Sequence, residues 1–285
     1  MRTLIPLLLL CFVYSTFMAQ SDVETILFSS NRSGNSDIYV MLSDGSDLKQ
    51  LTISEDEEWG ATWIESTRIS FLRQNEDGIT RHELDIVSQE ERFLSHPPNC
   101  ILDDKNALKH PTSQEWLYSC EGNIFVWDPA TGQLDNLTND VDGQSSYPAW
   151  CDEGQGVLFT NNQGGHNDIY KLDLTTMNTN RLTNSPFNNE RGDLSPNGQW
   201  LVYSSDQFDK GNQDVLLKNL VTGEIKRLTD TKGTELIARW STKDNVIYYG
   251  GNDDGNWEIY KYDLTNNITV RLTFDENFDG DPRVR

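Results

Sequence analysis

Basic residues are scarce. Against 45 Asp and Glu, the 285-residue chain sets only 23 Lys and Arg, a formal net charge of −22, and no basic block interrupts it. The long-range field opposes phosphate backbones and anionic lipid, so nucleic acid is not an expected partner. Methionine is sparse, and beyond the N-terminus no apolar run approaches the roughly 20 residues that a membrane-spanning helix requires. Membrane insertion is not expected either. Only four histidines occur, at His82, His96, His110 and His166, too scattered to converge on one metal. No Gly-x-Ser-x-Gly elbow is present, which removes the usual hydrolase nucleophile. No segment keeps a 3.6-residue apolar period with caps, so helices are incidental.

The N-terminus has the pattern of an export signal. Arg2 precedes an apolar stretch from Leu4 to Tyr14, followed by small or polar residues up to Ala19-Gln20, and a signal peptide over 1–19 is expected. Leu10 is not the small residue that a lipoprotein reading of Cys11 would need, so the mature chain is expected to be periplasmic or secreted. Three cysteines then remain in an oxidising compartment, Cys100, Cys120 and Cys151, enough for one intramolecular bridge.

What the sequence has in abundance is a repeat. Leu-Thr falls at Leu51-Thr52, Leu137-Thr138, Leu182-Thr183, Leu228-Thr229 and Leu272-Thr273, with Leu94-Ser95 as a degenerate copy, 43 to 46 residues apart. Upstream of each Leu stands a polar residue, a branched aliphatic and usually an aromatic, as in Asp37-Ile38-Tyr39, Asn123-Ile124-Phe125, Asp168-Ile169-Tyr170 and Glu258-Ile259-Tyr260. Earlier come apolar runs such as Ile26-Leu27-Phe28-Ser29 and Leu201-Val202-Tyr203-Ser204, and before those a short run ending in an aromatic, as at Trp63, Trp150 and Trp240. We read these tryptophans as core. A period of this size marks a repeat architecture, and four short β-rich runs separated by Asp-Gly and Asn-Gly turns make an antiparallel meander.

The expected fold is all-β: a six-bladed β-propeller of four-stranded antiparallel blades ending near residues 52, 95, 138, 183, 229 and 273. Each blade exposes two apolar faces that only radial packing can cover. The chain enters with three strands before its first Leu-Thr, and residues 279–285 align with Ser146-Tyr147-Pro148-Ala149-Trp150. The C-terminal strand is therefore expected to complete the first blade and close the ring.

Ser29-Ser30-Asn31-Arg32 with Asp37-Ile38-Tyr39, the Leu-Ser-Pro-Asn-Gly of residues 194–198 and the Leu-Thr endings resemble the TolB-type β-propeller repeat over residues 24–285. The resemblance implies this fold and, in part, a role in holding envelope proteins together through the propeller's channel mouth. It does not decide function, since such blades also occur in oligopeptidases and some lyases. The family's own member carries an α/β domain before the propeller; here the first strand closely follows the expected cleavage site, so a stand-alone propeller is expected.

Propellers usually bind where the loops between blades meet the channel. Aligned repeats place Glu58, Lys105, Glu235 and Asp279 in one mouth column, with Ser145 and Asn189, and Trp59 and Glu190 in the next. Tyr147 and Arg191 lie on the same loops, and aromatic and Arg side chains anchor interfaces. Glu58, Glu235 and Asp279 could together hold Ca²⁺ or receive basic groups of a partner, or simply be solvated acids. Lys109, Asp193, Arg239 and Arg283 align as a charged channel wall, or as mutual salt bridges. Strand direction puts Cys100 and Cys120 on one face, which predicts their bridge and leaves Cys151 buried and free, with reduced thiols as the alternative. His82 aligns with Phe125 and so belongs inside a blade. The expected function is an exported, monomeric, non-catalytic scaffold that binds an envelope protein or peptide, with no cofactor apart from Ca²⁺ at the mouth. A carbohydrate-active lyase or hydrolase and a metal-stabilised structural ring are the alternatives.

Overall fold

Strand-forming residues dominate every repeat, and in the second strand of most blades they are buried almost without alternation, because a neighbouring blade lies on each side. The computed structural model describes residues 23–98, 100, 102, 105–243 and 245–285; the expected signal peptide and Cys11 lie outside them. Six four-stranded antiparallel sheets form the ring. In chain order the strands are β1 (Thr25–Ser30), β2 (Asp37–Leu42) and β3 (Lys49–Gln50) of blade 1, then β4 (Glu57–Trp63), β5 (Arg68–Asn75), β6 (Gly78–Asp85) and β7 (Glu91–Leu94) of blade 2. Blade 3 comprises β8 (Leu108–Lys109), β9 (Trp116–Cys120), β10 (Asn123–Trp127) and β11 (Leu134–Asn136); blade 4 comprises β12 (Ser145–Cys151), β13 (Gly156–Asn161), β14 (Asp168–Asp173) and β15 (Asn178–Arg181). Blade 5 follows with β16 (Asn189–Leu194), β17 (Trp200–Asp209), β18 (Asn212–Asn219) and β19 (Ile225–Arg227), and blade 6 with β20 (Glu235–Trp240), β21 (Val246–Gly251), β22 (Glu258–Asp263) and β23 (Ile268–Arg271). The last strand, β24 (Asp279–Val284), pairs with β1 as the innermost strand of blade 1. Backbone bonds between Thr25 and Arg285, both 3.0 Å, extend that pairing. A 3₁₀ turn at Asp152–Gly154 is the helical content among the described residues.

The repeated residues have a common physical task. In five blades the Thr hydroxyl after the outer strand accepts the backbone N–H of an aliphatic near the start of the third strand. This occurs at Thr52 with Ile38, Thr138 with Ile124, Thr183 with Ile169, Thr229 with Val215 and Thr273 with Ile259, all 2.9 Å. The same hydroxyl donates to the preceding polar side chain, as Thr183 does to Asp168 at 2.7 Å and Thr52 to Asp37 at 3.2 Å. Where Arg precedes Leu-Thr, its guanidinium pairs with the same carboxylate, as in Arg227 with Asp214 at 2.9 Å and in the Arg181–Asp168 and Arg271–Glu258 pairs. In five blades a buried backbone donor is thereby satisfied at the start of the loop to the next blade, where leaving it unmet would cost about 1–3 kcal/mol.

A second device links alternate seams. The indole N–H of Trp63 reaches the carbonyl of Arg283 at 3.3 Å, Trp150 that of Leu108 at 3.1 Å, and Trp240 that of Asp193 at 3.2 Å. Blades 1–2, 3–4 and 5–6 are joined in this way. The tryptophans pack against the hydrophobic clusters beside them, Trp240 buried and the other two partly so.

The seam between blades 2 and 3 lacks both devices. Thr80 stands where other blades have Asp, Asn or Glu, Ser95 replaces the Thr, and Lys109 occupies the Trp position. Arg81 fills the aliphatic column and is 1% exposed. Its Nε donates to Asn106 Oδ1 at 3.2 Å, its Nη1 to the Ser95 carbonyl at 2.7 Å, and its guanidinium lies 4.3 Å over the Trp116 ring. Burial pulls its pKa down to about 10. The strand that should brace this seam, β8, has two residues. A disulfide joins Cys100, in the connection between the two blades, to Cys120 at the end of β9, with Cα atoms 6.1 Å apart. Cys151 is free and buried, its thiol pushed up to about 12 by burial.

Two consequences can be measured. Deleting residues 279–285 should abolish the cooperative thermal transition, because β1 would lose its inner partner and blade 1 its innermost strand; an unchanged melting curve would contradict the closure. A Cys100→Ser/Cys120→Ser variant should lose about 3 kcal/mol in urea titration, for a bridge spanning a separation of 20 residues. Its amide exchange should quicken in β8 and β9 before it does in β13, β17 or β21, and a uniform acceleration would contradict the weak seam.

Candidate binding site at the channel mouth

Each inner strand begins at the mouth and, in five blades, breaks register against its neighbour. The shifts fall between Trp59 and Thr62, Ser146 and Ala149, Glu190 and Asp193, Leu236 and Arg239, and opposite Leu27–Ser29 in blade 1. At every break one residue is left-handed: Gly60 (φ 64°), Tyr147 (51°), Arg191 (58°), Ile237 (57°) and Asp281 (57°). Such a φ is uncommon for non-glycine residues and an outlier for a β-branched one. A bulge re-aims side chains, and all five residues line one cavity of about 360 Å³ at the axis. Two residues further along the strands, Thr62, Arg239 and Arg283 line the same cavity with Leu108.

The cavity is cationic within an acidic protein. Lys105, Arg191, Arg239 and Arg283 line it, against Asp281. Tyr147 lies between two of the cations: the Arg191 guanidinium is 3.9 Å and the Lys105 ammonium 5.1 Å from its ring centre, and Arg191 donates to its hydroxyl at 3.0 Å. Arg239 Nη1 reaches the carbonyls of Ala238 at 3.0 Å and Arg191 at 3.5 Å. Its pKa is pulled down to about 9, first by burial and then by the charge of Arg283, with Asp193 opposing. These side chains keep some solvent contact along the channel but are surrounded by the ring, which is why they behave as buried. Asp193 accepts the Trp240 N–H at 2.9 Å; burial raises its pKa and Arg239 offsets part of the rise.

The acids expected beside them are elsewhere. Glu58, Glu235 and Asp279 are buried at the seams, each within its own network, and do not meet at the axis. Glu58 pairs with Arg73 at 2.6 Å and accepts Ser54 Oγ at 2.7 Å; Glu235 accepts Thr231 Oγ1 at 2.5 Å; Asp279 pairs with Arg32 at 2.6 Å. Each stands beside the acid of the preceding blade's third strand, which makes the carboxyl pairs Asp37–Glu58, Asp214–Glu235 and Glu258–Asp279. The physical reason is register: the residue two before the left-handed position faces the seam, whereas the left-handed residue and the one two beyond it face the channel. Among the described residues no group of three or more His, Cys, Asp or Glu could hold a metal ion, so the mouth trio does not form the expected Ca²⁺ site.

Lys109 is also not a channel residue. No bulge interrupts β8, so Leu108, paired with Leu117, takes the wall position and Lys109 turns into the cleft between blades 2 and 3. There its ammonium donates to the Ser113 carbonyl and lies 5.9 Å from the Trp116 ring. Trp59 lines the cavity as expected. Glu190 lines a second, open cavity of about 1020 Å³ over blades 3 and 4, where it accepts Asn167 Nδ2 at 2.5 Å. That groove also contains Gln144, Ser146, Asn162 and the disulfide, and shares Lys105, Ser119 and Tyr147 with the axial cavity. Sequence reasoning missed Ile237, Asp281 and Phe278 at the mouth; Gly60 was the one hint that a left-handed position exists there. His82 sits inside blade 2, stacked on Phe71 at 5.5 Å and paired with Glu91 at 2.7 Å.

Six four-stranded sheets around a polar channel open at one mouth define a six-bladed β-propeller. No model of a known protein family matches the chain. A Tol-Pal system protein TolB from Francisella tularensis subsp. tularensis is 26% identical over 89 residues, which is 31% of this chain and 20% of that protein. A TolB homologue from Chlorobium chlorochromatii is 26% identical over 130 residues, 45% of this chain and 28% of that one. The matched stretches thus span between 20% and 28% of these relatives' length. TolB from Acinetobacter baumannii superposes with a TM-score of 0.77 at 19% identity, over 92% of this chain and 66% of that one. The chain is a TolB-like six-bladed β-propeller.

The seam carboxyls make stability depend on pH. Burial raises the pKa of Glu235, with Asp214 adding to the rise; Asp37, Asp214 and Glu258 are raised for the same leading reason. A group that holds its proton more tightly when folded contributes fully below its unfolded value, 4.5 for Glu235, and loses that contribution as pH rises through the folded value. Urea titrations at pH 4.5, 6 and 8 should show the wild type losing stability relative to Glu235→Gln as pH rises. Parallel profiles would contradict the assignment.

Proposed function

We propose that the protein is an exported, non-catalytic propeller of the cell envelope that takes a segment of a protein partner at its channel mouth. The observation that carries this reading is the mouth itself: strained bulges in five blades turn Tyr147, Arg191, Ile237 and Asp281 into one cavity, with Trp59 beside them. Backbone strain concentrates where surrounding structure holds side chains for binding, and Trp, Tyr and Arg are the residue types that dominate protein interfaces. The name of the Francisella relative, a Tol-Pal system protein, supports an envelope setting. The axial cavity and the groove over blades 3 and 4 together suit an extended peptide better than a compact ligand.

Photo-crosslinking residues placed at Ser36 and Phe278, both at the mouth, test this in envelope extract. They should yield the same discrete protein adduct, and a probe at Val270 on the outer edge of blade 6 should not. Adducts from Val270 alone would overturn the assignment of the mouth.

A further inference from the structure

We propose that the group seated in the axial cavity is a carboxylate, an Asp or Glu side chain or a free C-terminus on the bound segment, received by Arg191, Arg239 and Arg283. This inference rests on the reading of the mouth as a peptide site and names the chemistry of its occupant.

Three consecutive blades, 5, 6 and 1, each send one arginine into the same cavity, from β16, β20 and β24. Their donors are under-used. Nε of Arg191 and Nε of Arg239 are buried with no hydrogen-bond partner. Among the described residues no carboxylate oxygen lies within ion-pair distance of any of the three, although Asp193 and Asp281 are close enough to act through space. Most other buried or half-buried arginines of the ring, including Arg32, Arg73, Arg181, Arg227 and Arg271, are paired with acids. The channel arginines repel one another: the charge of Arg283 helps to lower the pKa of Arg239, and Arg191 lowers that of Arg283. An entering carboxylate offers acceptors to forked guanidinium donors and relieves that repulsion, and charge-assisted bonds of this kind are the strong ones. A cation such as Ca²⁺ meets the same field with the opposite sign. The 360 Å³ volume accommodates one acidic side chain and its flanking peptide. The groove continuing through Lys105, Ser119 and Tyr147 offers Gln144, Ser146 and Asn162 to a neutral polar stretch.

The test is selection of a random-peptide display library on the wild type and on Arg239→Gln/Arg283→Gln, with thermal melts to confirm that the variant folds and Arg283→Lys as the charge-retaining control. Wild type should enrich acidic peptides or free acidic C-termini. Replacing the acid by its amide should weaken binding about tenfold or more, Arg283→Lys should retain most of the binding, and the double Gln variant should lose the preference. Enrichment of neutral or basic peptides that still compete for the mouth, or tighter displacement by inorganic phosphate than by acetate, would overturn the carboxylate assignment and leave the peptide reading intact. Failure to enrich any peptide sensitive to mouth substitutions would overturn both.

Discussion

One hydroxyl in five of the six blades holds the geometry on which everything else depends. The threonine just past an outer strand caps an N–H near the start of the third strand and donates to the side chain beside it, which fixes where the chain leaves one sheet for the next. A polar residue at the start of the following inner strand, Glu58, Asn189, Glu235 or Asp279, then stands beside the same network, so the strand starts close to the axis. With that start fixed, a one-residue bulge suffices to turn the next side chain inward. The mouth is thus downstream of a joint that lies in the seams, away from the channel.

The fold was legible because the repeat is made of the residues that form this joint. Leu-Thr and Asp-Ile-Tyr lie far apart in sequence and meet across β-strands, and their recurrence signals the contact. The strand missing from the first repeat and the surplus strand at the end were equally readable, since pairing leaves no other place for residues 279–285. The pairing of Cys100 with Cys120 could be reasoned from strand direction alone.

The site was less legible, and the failures share a cause. A polar column reads the same whether it faces an axis or a seam, so Glu58, Glu235 and Asp279 seemed to form a ring when each closes a joint. An alignment without gaps cannot show that blade 3 lacks the bulge present in the other five; Lys109 was therefore assigned the place that Leu108 takes. The left-handed backbone at Tyr147, Arg191 and Ile237 leaves no mark in composition, because only Gly60 is the residue type that favours it. Arg239 and Arg283 line the cavity, yet their dominance over the acids emerges only once the acids have turned away.

An anion-seeking pocket enclosed by an acidic shell has a kinetic consequence. A negatively charged visitor is repelled at long range by the chain's net charge of −22 and attracted only after it has entered the throat, inside the Debye length of about 8 Å at physiological ionic strength. Dissolved electrolyte weakens the outer barrier more than the inner attraction. Capture would therefore quicken as ionic strength rises, the reverse of ordinary electrostatic steering, while the escape rate stayed nearly constant.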